Sequence, residues 1–364
     1  MRCLSPQIAS VEDANKRNMP SKRIAYYLRS CGNLHYFASL KPYLDYFQKD
    51  SIHKNFLVVH NVDPESELSQ EYSDYKHLFT TDCNLDAYDL VLTPTFLRDH
   101  ERPDRNNVVQ IFHGMSDKPF TYERDFNNYL LCLCAGQRQV DRFFYDTLNR
   151  DMRWVKIGYP KFDRPATAPE IFRNNKKTLI YCPTWRKGGI SSIDLFLNNS
   201  DLLDQTLKAY NLIVKPHPNI FNRDRKFYDE GIVNRLRQVP GIKLFRSGNV
   251  MPLFARSDLY IGDISASGYE WLYFNRPMIF LNPDPGVLRP SSDFKSITYL
   301  WQCGDVCNDI GQLKGMIDKN LRNDRHRDIR ETILRYSVFN PRDNSATKRG
   351  IQQIELLLCS RNQV

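Results

Sequence analysis

Four short segments of this 364-residue chain carry side chains able to move protons or hold anionic oxygens. The first, His113-Gly114-Met115-Ser116-Asp117-Lys118, follows the apolar run 108–112. An imidazole titrates near neutrality and can take a proton from an attacking hydroxyl. Gly114 permits a tight turn beside it, and Lys118 adds positive charge. A histidine satisfied by turn carbonyls would show the same spacing. The second segment, Pro183-Thr184-Trp185-Arg186-Lys187-Gly188-Gly189, offers two cations and two glycines for close approach to phosphate, with Arg186 able to bind two oxygens at once. The third is Lys215-Pro216-His217-Pro218, in which flanking prolines hold His217 at a strand exit beside a cation. Both segments also read as ordinary basic turns. The fourth, Gly262-Asp263-Ile264-Ser265-Ala266-Ser267-Gly268-Tyr269-Glu270, has the strand–turn–helix pattern that presents backbone N–H groups and serine hydroxyls to an anion. Glu270 in its first turn can accept from a ribose diol, or simply favour the helix dipole.

The elements around these segments explain their placement. Short aliphatic or β-branched runs at 24–28, 56–60, 90–92, 108–112, 129–134 and 154–158 alternate with helical stretches such as 34–48 and 137–148. A Pro- and charge-rich linker follows, and the pattern resumes with strands at 178–182, 212–215, 242–245, 259–261 and 278–281. Strands alternating with helices predict parallel sheets covered on both faces. The expected fold is α/β: two Rossmann-like domains facing a cleft, with the last helix able to cross back to the first domain. The expected boundaries are 1–160, a linker at 161–177, a second domain at 178–342 and a C-terminal helix at 343–364. Ligands of open α/β sheets bind outside the carboxyl ends of the strands, where all four segments lie.

Composition removes several classes. With 41% hydrophobic residues, twenty Tyr and twenty-one Phe, the chain is not mainly disordered. No run approaches the ~18 apolar residues of a membrane span, and residues 1–23 lack the apolar core of a secretory signal. Nine Cys without CxxC spacing suit a reducing cytosol. No HExxH or DxD is present, and Cys132-x-Cys134 has no histidine pair, so no metal site is expected. The net charge of +9 points to acidic partners, yet no nucleic-acid signature accompanies it. Between Lys314 and Arg349, ten Lys/Arg stand against five Asp/Glu. There Leu313, Ile317, Leu321, Ile329, Ile333 and Leu334 recur at roughly helical spacing. That predicts a basic amphipathic helix, which either lies on an anionic membrane or packs on its own domain.

In this order, the segments resemble the CDP-glycerol glycerophosphotransferase family of teichoic-acid primases and polymerases. The family's H-G-T-P-x-K looks like His113–Lys118, its A-P-T-W/F-R like residues 181–186, and its K-x-H-P like Lys215–Pro218. Its T-D-Y-S-S, with the later K-P-x-I/V-F, resembles residues 262–266 and 276–280, and D-G-x-A-S/T-x-R is approximated by residues 343–349. Met115-Ser116-Asp117 and Ile264-Ser265-Ala266 depart from the pattern near the transferred group. The resemblance implies a GT-B fold, acceptor-side domain first and donor domain second. It further implies a transferase that moves glycerol phosphate, or a related polyol phosphate, from a CDP-activated donor to a lipid-linked or polymer hydroxyl acceptor, releasing CMP without a cofactor. By resemblance His113 is the general base, and His217, Lys215 and Arg186 stabilise the diphosphate and leaving CMP. Ser265 and Ser267 would hold phosphate oxygens and Glu270 the ribose, with Thr184 and Asp263 in the donor site and Gly114 and Lys118 toward acceptor or phosphate. The expected location is the cytoplasmic face of the cell membrane, attached peripherally. Two rivals keep different chemistry: a GT-B glycosyltransferase or sugar-nucleotide epimerase, and a non-catalytic basic protein binding nucleic acid or lipid.

Overall fold

Runs that are apolar on both faces, rather than alternating, make strands that must be covered on both sides. In the computed structural model, seven strands, fully buried at the centre and less so at the edges, form one parallel sheet: β1 (Arg23–Ser30), β2 (Lys54–Asn61), β3 (Phe79–Thr80), β4 (Leu90–Thr93), β5 (Val108–Gln110), β6 (Leu131–Cys134) and β7 (Trp154–Lys156). Six more form a second: β8 (Thr178–Cys182), β9 (Asn211–Val214), β10 (Ile242–Leu244), β11 (Leu259–Gly262), β12 (Met278–Leu281) and β13 (Asp305–Cys307). The structure describes residues 20–30, 34–49, 52–61, 70–118, 121–123, 125–127, 129–145, 152–163, 170–185, 189–221, 228–246 and 248–360.

The strand orders are β3-β2-β1-β4-β5-β6-β7 and β10-β9-β8-β11-β12-β13. Both are doubly wound, and the order reverses at β1/β4 and at β8/β11, where such sheets open a crevice for ligand. Two strands escape sequence reading. β3 has two residues, and β13 is a polar Asp-Val-Cys edge held by its register with Ile279–Leu281 of β12.

Ten helices cover the sheets among the described residues: α1 (Leu34–Lys49), α2 (Gln137–Phe144), α3 (Ile193–Leu197), α4 (Ser200–Ala209), α5 (Glu230–Gln238), α6 (Met251–Ala255), α7 (Ser267–Trp271), α8 (Leu313–Arg322), α9 (Arg327–Ser337) and α10 (Ala346–Ser360). The last of these crosses back. Ile351, Ile354, Leu357 and Leu358 of α10 share the first sheet's core with Leu40, Tyr43 and Phe47 of α1. Tyr46 donates to Glu355 Oε1 at 2.8 Å, fastening the pair at its rim. Asp163 caps the start of α10, accepting from the backbone N–H groups of Ala346 at 2.9 Å and Thr347 at 2.6 Å. A carboxylate there also meets the positive end of the helix dipole. Arg349 reaches from α10 to the Ile157 carbonyl at 2.7 Å while pairing with Asp343. The stretch 343–349 is thus a fastening between chain terminus and interdomain crossing.

Gly158 makes that crossing possible, with φ +89°, and a Cβ there would lie 2.7 Å from the Phe339 carbonyl oxygen. Gly158→Ala should therefore cost about 1–3 kcal/mol in strain, read as a lowered denaturant midpoint at unchanged m-value. A wild-type midpoint would show that the backbone relaxes at no cost.

The expected basic helix at 313–334 is two helices with a break at Asn323–His326. Its apolar side is already used: Leu313 and Ile317 pack on one face of the second sheet, Ile333 and Leu334 on the other. Asp305 organises the break by accepting from Arg325 at 2.7 Å, Asn320 at 3.0 Å and His326 Nε2 at 3.0 Å. Arg330 is fully buried, bonded to Asn275 and the Cys303 carbonyl and paired with Asp324. Of the two alternatives this segment offered, packing on its own domain accounts for the apolar positions. No helix among the described residues is long and apolar enough to cross a membrane.

Candidate functional site

β5 ends at Gln110, two residues before the apolar run does, and the chain turns at Phe112 with φ 47°. The sharp turn falls there and not at Gly114, as the sequence suggested. A left-handed non-glycine residue costs roughly 1–2 kcal/mol. The ring offsets this by stacking on Phe143, centroids 5.4 Å apart, inside a cluster with Phe96 and Phe126. The turn aims His113 into a cleft of about 410 Å³ between the two sheets. Gly114 lines it too, where a Cβ would stand 3.7 Å from Ala266 on the opposite wall.

His113 Nδ1 lies 2.9 Å from the Pro94 carbonyl oxygen, which can only accept. Nδ1 therefore carries the hydrogen, and Nε2 of the neutral ring is the acceptor. Tyr36 of α1 packs edge-on against the ring at 4.4 Å. Burial pushes the imidazole down to about 4, and the nearby Lys161 and Lys118 ammonium groups push the same way, against the Pro94 bond and Glu270. His113 is a neutral base at ordinary pH.

At the far end of the same loop the chain leaves the cleft lining. Lys118 is buried and donates to Thr184 Oγ1 at 2.7 Å, bridging the two domains. The Thr184 N–H is held by Asp263 at 2.9 Å, and Asp263 also accepts from the N–H and hydroxyl of Ser192, each at 2.9 Å. Burial pushes the Asp263 carboxyl up to about 6 despite those bonds. Thr184, Asp263 and Lys118, expected to touch ligand, lie behind the cleft wall as its frame. Asp117 pairs with the buried Arg138 and accepts from Tyr269 at 2.8 and 2.9 Å. Tyr269 sits on α7, so the loop bearing His113 is docked on the helix bearing Ser267 and Glu270.

Lys215 and His217 follow β9, Ser265, Ser267 and Glu270 follow β11, and all five line the same cleft. Arg186 lies outside the described residues. His217 Nδ1 accepts from the Asn219 N–H at 3.1 Å, so Nε2 of its neutral ring carries the hydrogen, the reverse of His113. Lys215 is 8% exposed; its backbone N–H donates to the Tyr181 carbonyl at 2.8 Å, while its ammonium makes no hydrogen bond or ion pair with the described residues. Burial pushes its ammonium below the usual range, and Lys161 adds to this. A buried ammonium of this kind has chemistry suited to pairing with an anion. The hydroxyls of Ser265 and Ser267 stand 2.9 Å apart at the start of α7. Glu270 Oε1 accepts from Tyr159 at 2.5 Å and Lys161 at 2.6 Å, while Oε2 takes no bond from the described residues.

Sequence reading missed Tyr159 and Lys161, which line the cleft beside Glu270. They follow β7 as the other site segments follow their strands, but proline and charge made the stretch read as linker. Lys41 and Tyr43 of α1 were missed as well, because a helix face gives no strand-end signal. Among the described residues no group of three or more His, Cys, Asp or Glu is placed to hold a metal ion. Cys132 and Cys134 share one buried face of β6, and burial pushes both thiols up.

Two doubly wound parallel sheets meeting over one cleft, joined by a returning C-terminal helix, define a GT-B fold. The chain belongs to the CDP-Glycerol:Poly(glycerophosphate) glycerophosphotransferase family, whose profile matches residues 19–356. Over 160 residues it is 28% identical to the teichoic acid glycerol-phosphate primase of Bacillus subtilis (strain 168), covering 42% of this chain and 39% of that protein. The matched stretch is thus well under half of the primase. The wall teichoic acid polymerase TagF, in a variant soaked with CDPG, superposes with a TM-score of 0.62 over 97% of this chain and 94% of that one, at 16% identity. A putative UDP-N-acetylglucosamine 2-epimerase from Listeria monocytogenes superposes with a TM-score of 0.59 over 93% and 96%, at 11% identity. Both structural matches speak to fold alone.

Proposed function

We propose that this protein transfers glycerol phosphate, or a related polyol phosphate, from a CDP-activated donor to a hydroxyl acceptor of a cell-surface polymer or its lipid-linked precursor. Family membership supports the substrate class. The observation that carries the chemistry is the pair of histidines in one cleft with opposite tautomers. His113 Nε2 accepts the proton of the attacking hydroxyl as the acceptor oxygen bonds to the β-phosphorus. The bond from that phosphorus to the oxygen bridging the α-phosphate breaks, and CMP leaves with the electron pair. His217 Nε2–H and the Lys215 ammonium neutralise the diphosphate as charge moves onto CMP, the main requirement of such a step. Ser265 and Ser267 orient phosphate oxygens, and Glu270 Oε2 accepts from the ribose diol.

A panel of CDP-glycerol, CDP-ribitol, UDP-sugars and GDP-sugars tests this. CMP should be released from a CDP-polyol in an acceptor-dependent way, with the other nucleotides left intact. Release of UDP or GDP in place of CMP would move the protein to nucleotide-sugar chemistry. Salt-sensitive nucleic-acid binding without any turnover would make it a basic binding protein.

We further assign it a peripheral place on the anionic cytoplasmic face of the membrane, supported by the net charge of +9 and the exposed Arg322 and Arg327. Arg325 and Arg330 are left out, since they hold Asp305 and Asp324. Each basic residue near such a surface contributes ~1 kcal/mol, so replacing Arg322 and Arg327 by Gln should lower co-sedimentation with anionic liposomes roughly tenfold or more. Unchanged binding would end the assignment.

A further inference from the structure

Lys161 has a position that the roles given so far do not use. It follows Pro160 just beyond β7, lines the cleft, and its side chain is 19% exposed. An ammonium has three N–H donors. One goes to Glu270 Oε1 at 2.6 Å, and no other acceptor among the described residues takes a hydrogen bond from Nζ. The Tyr159 ring lies 5.6 Å away and its hydroxyl shares the same carboxylate oxygen. Lys161 is thus anchored through one donor while two remain for the cleft. It lines the same cleft as His113 and Lys215, and its positive charge acts on both groups.

We propose that Lys161 is a ligand of the phosphoryl group in transfer, held by Glu270 so that its other N–H groups meet the nonbridging oxygens on the β-phosphorus. This deepens the donor reading above and rests on it. The anchor has a physical reason. A flexible lysine loses rotamer freedom on binding a ligand, and a carboxylate that fixes it beforehand removes that cost from the binding step. Glu270 then serves two groups, its Oε1 orienting Lys161 and its Oε2 the ribose. The phosphoryl group is met by Lys161 from the first domain's side of the cleft and by Lys215 from the second's. Pentavalent charge would be balanced from both walls at once.

CDP and CMP separate this from a purely orienting role. Both nucleotides carry the ribose that Glu270 is proposed to bind, but only CDP carries a β-phosphoryl group. Calorimetric titration of the full chain with each nucleotide should show Lys161→Met weakening CDP by roughly 10–100-fold, the range of a lost charge-assisted hydrogen bond, with CMP changed less than about threefold. Lys161→Arg should restore most of the CDP affinity, and a thermal melt of each variant confirms that the fold is retained. Equal weakening of CDP and CMP would leave Lys161 as support for Glu270 only and overturn the inference, as would no change in either. If Lys161→Met melts far below wild type, Lys161→Gln carries the same comparison with a shorter, polar side chain. Selective loss of CDP in a protein that releases CMP from no CDP-polyol would uphold the phosphoryl contact while removing the transferase reading.

Discussion

His113→Ala should lower kcat by ~10²–10⁴-fold while leaving donor affinity nearly unchanged, the signature of a lost general base. The geometry behind this is specific: a carbonyl holds Nδ1–H, so only Nε2 can accept a proton. His217→Ala should behave differently and weaken donor binding too, because its proposed contact is with phosphate already present in the ground state. The pH dependence carries a sign. With His113 pushed down to about 4 in the folded protein and near 6.5 when unfolded, the unfolded chain binds the extra proton between those values. The stability contributed by neutral His113 is therefore full above about pH 6.5 and is lost as pH falls through about 4. The acid limb that His113 imposes on kcat/KM should lie well below the usual histidine range and vanish in the alanine variant. Near-normal turnover of His113→Ala would remove the residue from the mechanism.

Asp117→Ala should be the most destabilising single substitution in the loop. The side chains of Arg138 and Asp117 are 2% and 5% exposed, and removal of the carboxylate strands a guanidinium inside the domain junction. Breaking a buried pair from one side costs about 3–5 kcal/mol, read by denaturant unfolding. Phe294 accepts from Arg138 at 2.8 Å, and the Tyr299 ring lies 4.7 Å from the guanidinium, but neither supplies a counter-charge. Tyr269 would lose its acceptor as well. Adding Arg138→Met should recover much of the stability, because an apolar pair of similar volume removes the stranded charge. A double variant no better than Asp117→Ala alone would show that the loss lies in packing and not in charge.

The strands were legible where burial is symmetric and the run is purely apolar. β8 and β12 fall on the expected residues because every position in them is buried. β5 is shorter than its apolar run: Ile111 still donates its N–H to the Thr93 carbonyl at 3.0 Å and is buried in the first sheet's core, while Phe112 is apolar for the packing of the turn. In the site, a polar residue after a strand correctly marked His113, Lys215, His217, Ser265, Ser267 and Glu270 as cleft-facing. That rule carries no information on depth. Thr184, Asp263 and Lys118 satisfy it equally but are spent on one another across the junction. Lys161 satisfies it too, but its neighbours in sequence look like linker, and its carboxylate partner lies 109 positions away. Long-range pairing of this kind leaves no local pattern to read.

The returning helix has a consequence for how the chain is made. β7 closes the first sheet at Lys156, yet part of the apolar surface covering α1 comes from Ile351, Ile354, Leu357 and Leu358. Those residues leave the ribosome about 200 positions later, a delay of roughly 10–40 s at ordinary synthesis rates. During that interval Leu40, Tyr43 and Phe47 lack their final neighbours, and the amino-terminal half is a nascent chain with an uncovered hydrophobic stripe. Completion of the first domain is thereby deferred until α10 has been made, so a chain cut short before α10 leaves the first domain's apolar surface uncovered as well as lacking a helix.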